Sequence, residues 1–116
     1  MHTLNLDTWN RRETYYFFRD YDDPFFNITA EVDTTALTAF CKTEQVSFFL
    51  ASLYLSIRAA NAMEPFRYRI RGEEVICHEH IHGGSTILYP DNTFGFCYFP
   101  YRESGSLFCQ EGEQLL

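Results

Sequence analysis

A helix that runs directly into an alternating strand constrains the fold of this chain most strongly. Residues 47–63 would place apolar side chains on nearly every side of a helix, with small alanines between them. Such a helix is typical of a protein core. Glu64 and Pro65 end it, since proline lacks an amide donor and disfavours helical geometry in the residue before it. Residues 66–71 then alternate aromatic or aliphatic side chains with arginines, which predicts a strand with one buried face.

The other patterns add helices and strands on both sides of this unit. Further helices are expected at about residues 11–19 and 34–42, and the opening of a last one at 104–116. Asp33 is well placed to cap the second of them. Besides 66–71, strands are expected at residues 3–7, 26–33, 75–77, 87–88 and 93–98. A layer of helices on a layer of sheet, in a single domain spanning residues 1–116, is the predicted architecture.

The overall charge and the longest apolar segment exclude two classes of partner. The chain has a formal net charge of −7 and no block of lysines or arginines, which argues against nucleic-acid binding. The longest uncharged run, residues 45–57, is too short to span a bilayer, so no membrane is expected as a partner. The first twelve residues lack a basic region followed by an apolar stretch, so no signal peptide is expected.

The cysteines indicate the cellular compartment. None of the four has Cys-x-x-Cys spacing, and each sits inside an apolar run, as small buried thiols do. Unpaired thiols favour a reducing environment, and we therefore predict a cytoplasmic protein.

Aromatic residues are unusually abundant, at 18% of the chain with 12 Phe and 8 Tyr. A single core of this size does not need so many, so some are expected to line a ligand pocket or a subunit interface. Residues 15–18 are four consecutive aromatics, which cannot all face the same side of a helix. At least one or two of them should contact something other than the helix's own core.

Three alternating histidines raise a metal-binding alternative. On a strand, His78, His80 and His82 would project from one face, as in a three-histidine zinc site. The nearest carboxylate, Glu79, would lie on the opposite face and could not orient them. We therefore treat the three as a weak metal candidate and expect no metal. None of the four histidines has the neighbours typical of a catalytic base, and no nucleophile elbow or phosphate loop is visible.

Several separated motifs occur in order along the chain: Trp9-x-Arg11, Glu13 with aromatics to Phe18, Phe26-x-Ile28, Val32-Asp33-x-Thr35, Asn61, Phe66-Arg67-x-Arg69-Ile70 and Thr93-Phe94. Together they resemble the amino-terminal half of the chloramphenicol acetyltransferases. The resemblance implies an α/β two-layer sandwich with helices packed on a mixed β-sheet, a part of the coenzyme A-dependent acyltransferase fold. It also implies a homo-oligomer, since proteins of this family assemble as trimers.

The resemblance implies a function and a set of site residues. The reaction would be acetyl transfer from acetyl-CoA to a hydroxyl of a small aromatic antibiotic. Phe17, Phe18, Phe94 and Phe96 match family positions beside that acceptor, and Arg11 matches an arginine that supports the active-site geometry. Core packing of the four rings, and a plain surface role for the arginine, remain open as alternatives.

The chain also departs from the family pattern. The family's general base is the second histidine of a His-His-x-x-x-Asp-Gly motif, and this motif does not occur here. That base would take the proton from the acceptor hydroxyl as the hydroxyl attacks the thioester. We therefore expect a chain truncated before the motif, which is inactive alone and lacks its carboxyl-terminal half. A catalytically inactive binding or assembly module that keeps the aromatic surface is the alternative.

Overall fold

The computed structural model describes every residue from Met1 to Leu116 and contains both helices and strands. The helices are α1 (Arg12–Phe18), α2 (Thr35–Glu44), α3 (Phe48–Ala62) and α4 (Gly105–Leu115). The strands are β1 (His2–Thr3), β2 (Tyr68–Arg71), β3 (Glu74–Cys77), β4 (Gly83–Leu88) and β5 (Phe94–Phe99). A 3₁₀ helix, Glu64–Arg67, joins α3 to β2. The predicted α/β class is confirmed.

Helix α3 is the central element, as its sequence predicts. It begins after Ser47, whose hydroxyl accepts a hydrogen bond from the amide of Leu50 at 3.3 Å, and it ends just before the Pro65 turn. Its buried side packs on α4 and β5 in one hydrophobic core made of Leu50, Tyr54, Ile57, Phe99 and Phe108. Three apolar side chains on the rest of its surface, Phe48, Phe49 and Leu55, stay partly exposed. The helix is therefore covered on one side only.

Two glycines allow α4 to approach α3 closely. A Cβ at Gly112 would lie 2.6 Å from a methyl carbon of Leu50, and one at Gly105 would lie 2.8 Å from a ring carbon of Tyr54. Glycine weakens a helix by roughly 1 kcal/mol relative to alanine. In α4 this cost is offset by close helix packing, which leaves Phe108 almost fully buried.

The strands form two separate antiparallel sheets, in the orders β1-β3-β2 and β4-β5. The mixed sheet implied by the family resemblance is therefore not present within this chain. Short connections explain the pairing of β2 with β3 and of β4 with β5, because strands joined by a few residues can only pair antiparallel. Strands β2 and β3 are joined by Gly72 and Glu73, and Gly72 adopts a positive φ of 60°.

The strand predicted at residues 26–33 is not formed. The segment has no regular secondary structure, and its alternating apolar side chains, Phe26, Ile28 and Val32, are all strongly exposed. Period-2 alternation predicts a strand only where another strand lies alongside to pair with it. No strand of this chain occupies that position, so this prediction is wrong for the chain as it stands.

The first strand is shorter and earlier than predicted at residues 3–7. Only His2 and Thr3 pair with β3, followed by a single further bond from the Leu4 amide to the Val75 carbonyl at 2.8 Å. Asn5 then turns the chain, because its side-chain oxygen accepts the amide of Asp7 at 3.1 Å.

None of the four helices has the length and apolar character needed to cross a membrane.

Candidate substrate-binding site

A cleft of about 960 Å³ lies between the amino-terminal region and the sheet β1-β3-β2, and we call it the aromatic cleft. Part of its lining is one face of β2 and β3. Tyr68, Ile70 and Val75 share that face, because Ile70 pairs with Val75 and side chains two residues apart point the same way. The remaining aromatic lining comes from Trp9, Tyr15, Phe18, Tyr21, Phe25 and Phe26.

Ring-to-ring packing connects the wall of the cleft to the sheet. The indole of Trp9 meets the ring of Tyr68 edge-on, with centroids 5.6 Å apart and an interplanar angle of 88°. Helix α1 places Tyr15 and Phe18 one turn apart on the same side, where Tyr15 contacts Trp9 and Phe18 contacts Tyr21. Edge-to-face pairs of this kind add about 0.5–1.5 kcal/mol each to the burial of the rings. The cleft can therefore hold an aromatic ligand between several ring edges and faces.

The rim of the cleft is charged. Arg19 lies 3.6 Å from the carboxylate of Glu73 across the rim, and its guanidinium stacks on Tyr16 at 4.8 Å. Both charged groups are well exposed, so this ion pair contributes little to stability. The predicted support residue, Arg11, also lines the cleft, but its side chain makes no ion pair and no hydrogen bond.

Tyr68 supplies a polar group to the lining. Burial, with a smaller contribution from the negative charge of Glu64, raises the pKa of Tyr68 above its ordinary value. Like an ordinary tyrosine, Tyr68 is protonated at neutral pH, and its hydroxyl can donate a hydrogen bond.

The four predicted contact residues fall on two separate surfaces. Phe18 lines the aromatic cleft, and Phe17 packs on it with ring centroids 4.9 Å apart. Phe94 and Phe96 lie on β5, where they are 66% and 74% exposed. With Tyr98 they occupy one face of the β4-β5 hairpin, which we call the hairpin face. No ring of the hairpin face contacts a ring of the aromatic cleft.

The segment with the three histidines is a loop, not the strand that the metal alternative requires. Asn61 holds this loop by accepting the Ile81 amide at 2.8 Å and donating to the Ile81 carbonyl at 3.0 Å. Arg67 donates to the His78 carbonyl at 2.8 Å, and His82 accepts the amide of Tyr101 on Nδ1. The three imidazoles are not among the side chains whose ligand atoms lie within 4.8 Å of one another.

Sequence reasoning did not assign Trp9, Tyr21, Phe25 or Tyr68 to the site. Tyr68 carried a usable signal, because it stands in the apolar register of a predicted half-buried strand. Trp9 stood in the family motif Trp9-x-Arg11. Tyr21 and Phe25 had no such signal, since their place in the cleft depends on how the irregular segment after α1 lies against the sheet.

Comparison with known proteins decides the family. The sequence model of the family described as chloramphenicol acetyltransferase matches residues 1–115. A solved structure of a chloramphenicol acetyltransferase superposes with a TM-score of 0.91 at 33% identity, over 97% of this chain and 54% of that one. This chain belongs to the chloramphenicol acetyltransferase family.

Individual relatives show how much of a family member the chain covers. It is 33% identical over 73 residues to chloramphenicol acetyltransferase 2 of Escherichia coli, covering 63% of this chain and 34% of that one. It is 27% identical over 116 residues to the chloramphenicol acetyltransferase of Streptomyces acrimycini, covering 97% of this chain and 52% of that one. The chain thus spans about half the length, or less, of the curated relatives it matches.

Four of the family motif residues noted in the sequence make specific contacts in this chain. Trp9 joins α1 to the sheet, while Asn61 and Arg67 anchor the histidine loop. Asp33 accepts the amide of Thr35 at 2.9 Å. The N-cap of α2 is Thr34, which makes no side-chain capping bond, so Asp33 bonds just outside the helix and does not occupy the capping position that the sequence predicted. In this member of the chloramphenicol acetyltransferase family, Trp9 thus supports the aromatic cleft, whereas Asn61 and Arg67 fix a separate loop.

Proposed function

We propose that this chain forms the acceptor-binding part of an O-acetyltransferase of the chloramphenicol type. The reaction moves an acetyl group from acetyl-CoA to a hydroxyl of a small aromatic antibiotic. The observation that carries the proposal is the aromatic cleft, which occurs in a chain of this family and has the volume of a small-molecule site. Its ring edges suit an aromatic acceptor, and the Tyr68 hydroxyl offers a donor for a polar substituent.

The predicted residues keep distinct roles in this proposal. Phe18 contacts the acceptor directly in the aromatic cleft, with Phe17 packed behind it. Phe94 and Phe96 contact the acceptor only when further polypeptide covers the hairpin face, because at present both rings face solvent. Arg11 supports the site by pairing with an acidic group that the same polypeptide supplies.

The general base comes from outside these 116 residues. None of the four histidines stands in the His-His-x-x-x-Asp-Gly motif, and the chain spans about half of its curated relatives. The base accepts the proton of the acceptor hydroxyl as its oxygen attacks the thioester carbonyl, and the coenzyme A thiolate leaves. We further propose that this assembly is cytoplasmic and trimeric. Residues 1–116 form a single domain in each subunit.

A catalytically inactive binding or assembly module is the second candidate. The hairpin face favours it, because exposed contiguous aromatic residues mark interaction surfaces. The two candidates differ in one measurable property, which is whether acetylation appears when the chain meets a half that carries the base.

Reconstitution tests the proposal. The chain alone should release no free thiol from acetyl-CoA in the presence of chloramphenicol. After it is joined to a carboxyl-terminal half that carries His-His-x-x-x-Asp-Gly, thiol release should appear. In the joined protein, Phe18→Ala should raise the acceptor KM by about 10- to 100-fold with a smaller change in kcat, because an apolar contact stabilises the ground and transition states about equally.

Phe48→Ala is the matched control, since Phe48 is 43% exposed against 42% for Phe18 but lies on α3 away from the cleft. It should leave the acceptor KM unchanged. Reconstitution without any acetylation would favour the binding module. Equal effects of the two substitutions on the acceptor KM would show that the acceptor does not bind in the aromatic cleft.

A further inference from the structure

A group of three different metal-ligating side chains lies at one end of the sheet β1-β3-β2, where β3 leads into the histidine loop. One nitrogen of His2, a carboxylate oxygen of Glu64 and the sulfur of Cys77 all lie within 4.8 Å of one another. They come from β1, the 3₁₀ helix and β3, so the fold brings them together from distant parts of the chain. The sequence does not suggest this grouping, because neither spacing nor periodicity links the three.

Strand register explains why they meet. His2 pairs directly with Cys77, and side chains of directly paired antiparallel residues lie on the same face of a sheet. Tyr68 pairs with Cys77 from the other side, so this row is also the end of the cleft-facing surface of β2 and β3. The 3₁₀ helix, which leads into β2, places the Glu64 carboxylate 3.9 Å from the Cys77 sulfur.

Cys77 is the buried member of the group, and its sulfur has polar neighbours. Its side chain is 1% exposed, and its sulfur lies 3.7 Å from a guanidinium nitrogen of Arg67 and 3.6 Å from the His78 carbonyl. In the metal-bound state, the Glu64 carboxylate and the Cys77 thiolate carry two negative charges, and Arg67 carries one positive charge. The remaining charge of −1 still attracts a divalent cation, although Arg67 weakens the attraction.

We propose that His2, Glu64 and Cys77 bind Zn²⁺. A thiolate, an imidazole and a carboxylate form a donor set that zinc accepts, and zinc commonly takes three protein ligands and one water. Zinc bonds of about 2.0–2.3 Å require the ligand atoms to lie closer together than they do in the free protein, and the two exposed side chains, His2 and Glu64, are able to move inward. Binding releases the thiol proton of Cys77 to solvent.

The binding experiment uses the full chain without a histidine tag. Zinc affinity is measured by competition with a chromogenic chelator, and one equivalent should bind. His2→Gln and Glu64→Gln should each lower the zinc affinity by at least about 10- to 100-fold. That is the loss seen when a residue that only hydrogen-bonds to a metal ligand is removed. Both positions are exposed, so the fold should tolerate these substitutions. His80→Gln, at an exposed position in the loop, is the matched control and should have no effect.

Cobalt provides a spectroscopic test of the thiolate ligand. Co²⁺ bound in place of zinc should show a thiolate-to-metal charge-transfer band, which Cys77→Ser abolishes and Cys97→Ser retains. A chain that binds zinc no more tightly than its His2→Gln and Glu64→Gln variants overturns the proposal. A charge-transfer band that survives in Cys77→Ser, or affinity that is lost in His80→Gln instead, overturns it as well.

Discussion

The two ends of this chain use their aromatic residues in opposite ways. Near the carboxyl end, Phe99 and Phe108 are each 1% exposed, within the core that they share with α3. Near the amino end, Phe25 and Phe26 are 86% and 85% exposed, and every residue from 16 to 36 is classed as exposed. The two regions have similar side chains but different neighbours, because α3, α4 and β5 pack on one another while nothing in this chain covers residues 22–34.

The difference separates residues that stabilise the fold from residues that remain available for binding. Burying a phenylalanine contributes roughly 1.5–3 kcal/mol, and the carboxyl-terminal core has already gained that free energy. The amino-terminal rings can gain it only on contact with a ligand or with further polypeptide. The aromatic cleft thus stands on a scaffold whose stability depends on other residues.

The largest expected effect tests this separation directly. Phe108→Ala removes a fully buried ring and should lower the free energy of unfolding by about 3–5 kcal/mol, because it loses both apolar burial and packing. Phe26→Ala, the same substitution at an exposed ring, should change it by less than about 0.5 kcal/mol. Urea denaturation followed by circular dichroism measures both. A large loss for Phe26→Ala would mean that the amino-terminal segment is packed in solution and that the comparison is mistaken.

A smaller effect should come from the contact between α3 and α4. Gly112→Val should cost about 1–3 kcal/mol, because a new side chain there collides with Leu50, which is fully buried. In a Leu50→Ala background the space is open, and the same change should be nearly neutral.

A double-mutant cycle of these two positions isolates their coupling. Gly72→Val is not a suitable control because of its positive φ, whereas Gly84→Val, on an exposed strand position with no close contact under 3.4 Å, is a better one. Equal costs of Gly112→Val in both backgrounds would show that helix propensity, and not close packing, explains the glycine.

The elements with strong local periodicity were predictable from sequence. The helix at 47–63 and the strand at 66–71 were predicted within a few residues of their observed bounds. The buried face predicted for the strand is wrong, because Phe66 and Ile70 are 55% and 65% exposed. The segment at 26–33 has an equally regular pattern, yet it forms no strand here. An alternating pattern predicts that another element covers one face of the segment. It does not indicate whether that element belongs to the same 116 residues.

The site was predictable only in part, for a related reason. Family motifs pointed to Arg11 and Phe18, and both line the aromatic cleft. The group of His2, Glu64 and Cys77 depends on the register of β1 on β3 and on one 3₁₀ turn, neither of which leaves a periodic trace in the sequence. The three histidines do alternate in the sequence, but they lie in a loop whose backbone is held by Asn61 and Arg67.

The smallest effect concerns the turn of the β4-β5 hairpin, which lies outside both regions. The carboxylate of Asp91 accepts hydrogen bonds from the amide of Thr93 at 3.0 Å and from its hydroxyl at 2.6 Å. The Thr93 hydroxyl, followed by the Thr93 amide, holds the pKa of Asp91 below its ordinary value. A depressed pKa means that the folded turn favours the ionised carboxylate, so its stabilising effect is complete above the unfolded pKa of about 3.9 and is lost as the pH falls through the lower folded value.

Acid titration by nuclear magnetic resonance can follow this loss at the Thr93 amide. Its resonance should shift with a midpoint below about 3.9, while resonances of the α3–α4 core stay unchanged over the same step. Asp91→Asn keeps an acceptor oxygen but removes the charge, so the amide shift of Thr93 should no longer titrate. If the core resonances moved together with Thr93, hairpin and core would unfold as one unit, and the hairpin face would share the stability of the carboxyl-terminal core instead of lying outside it.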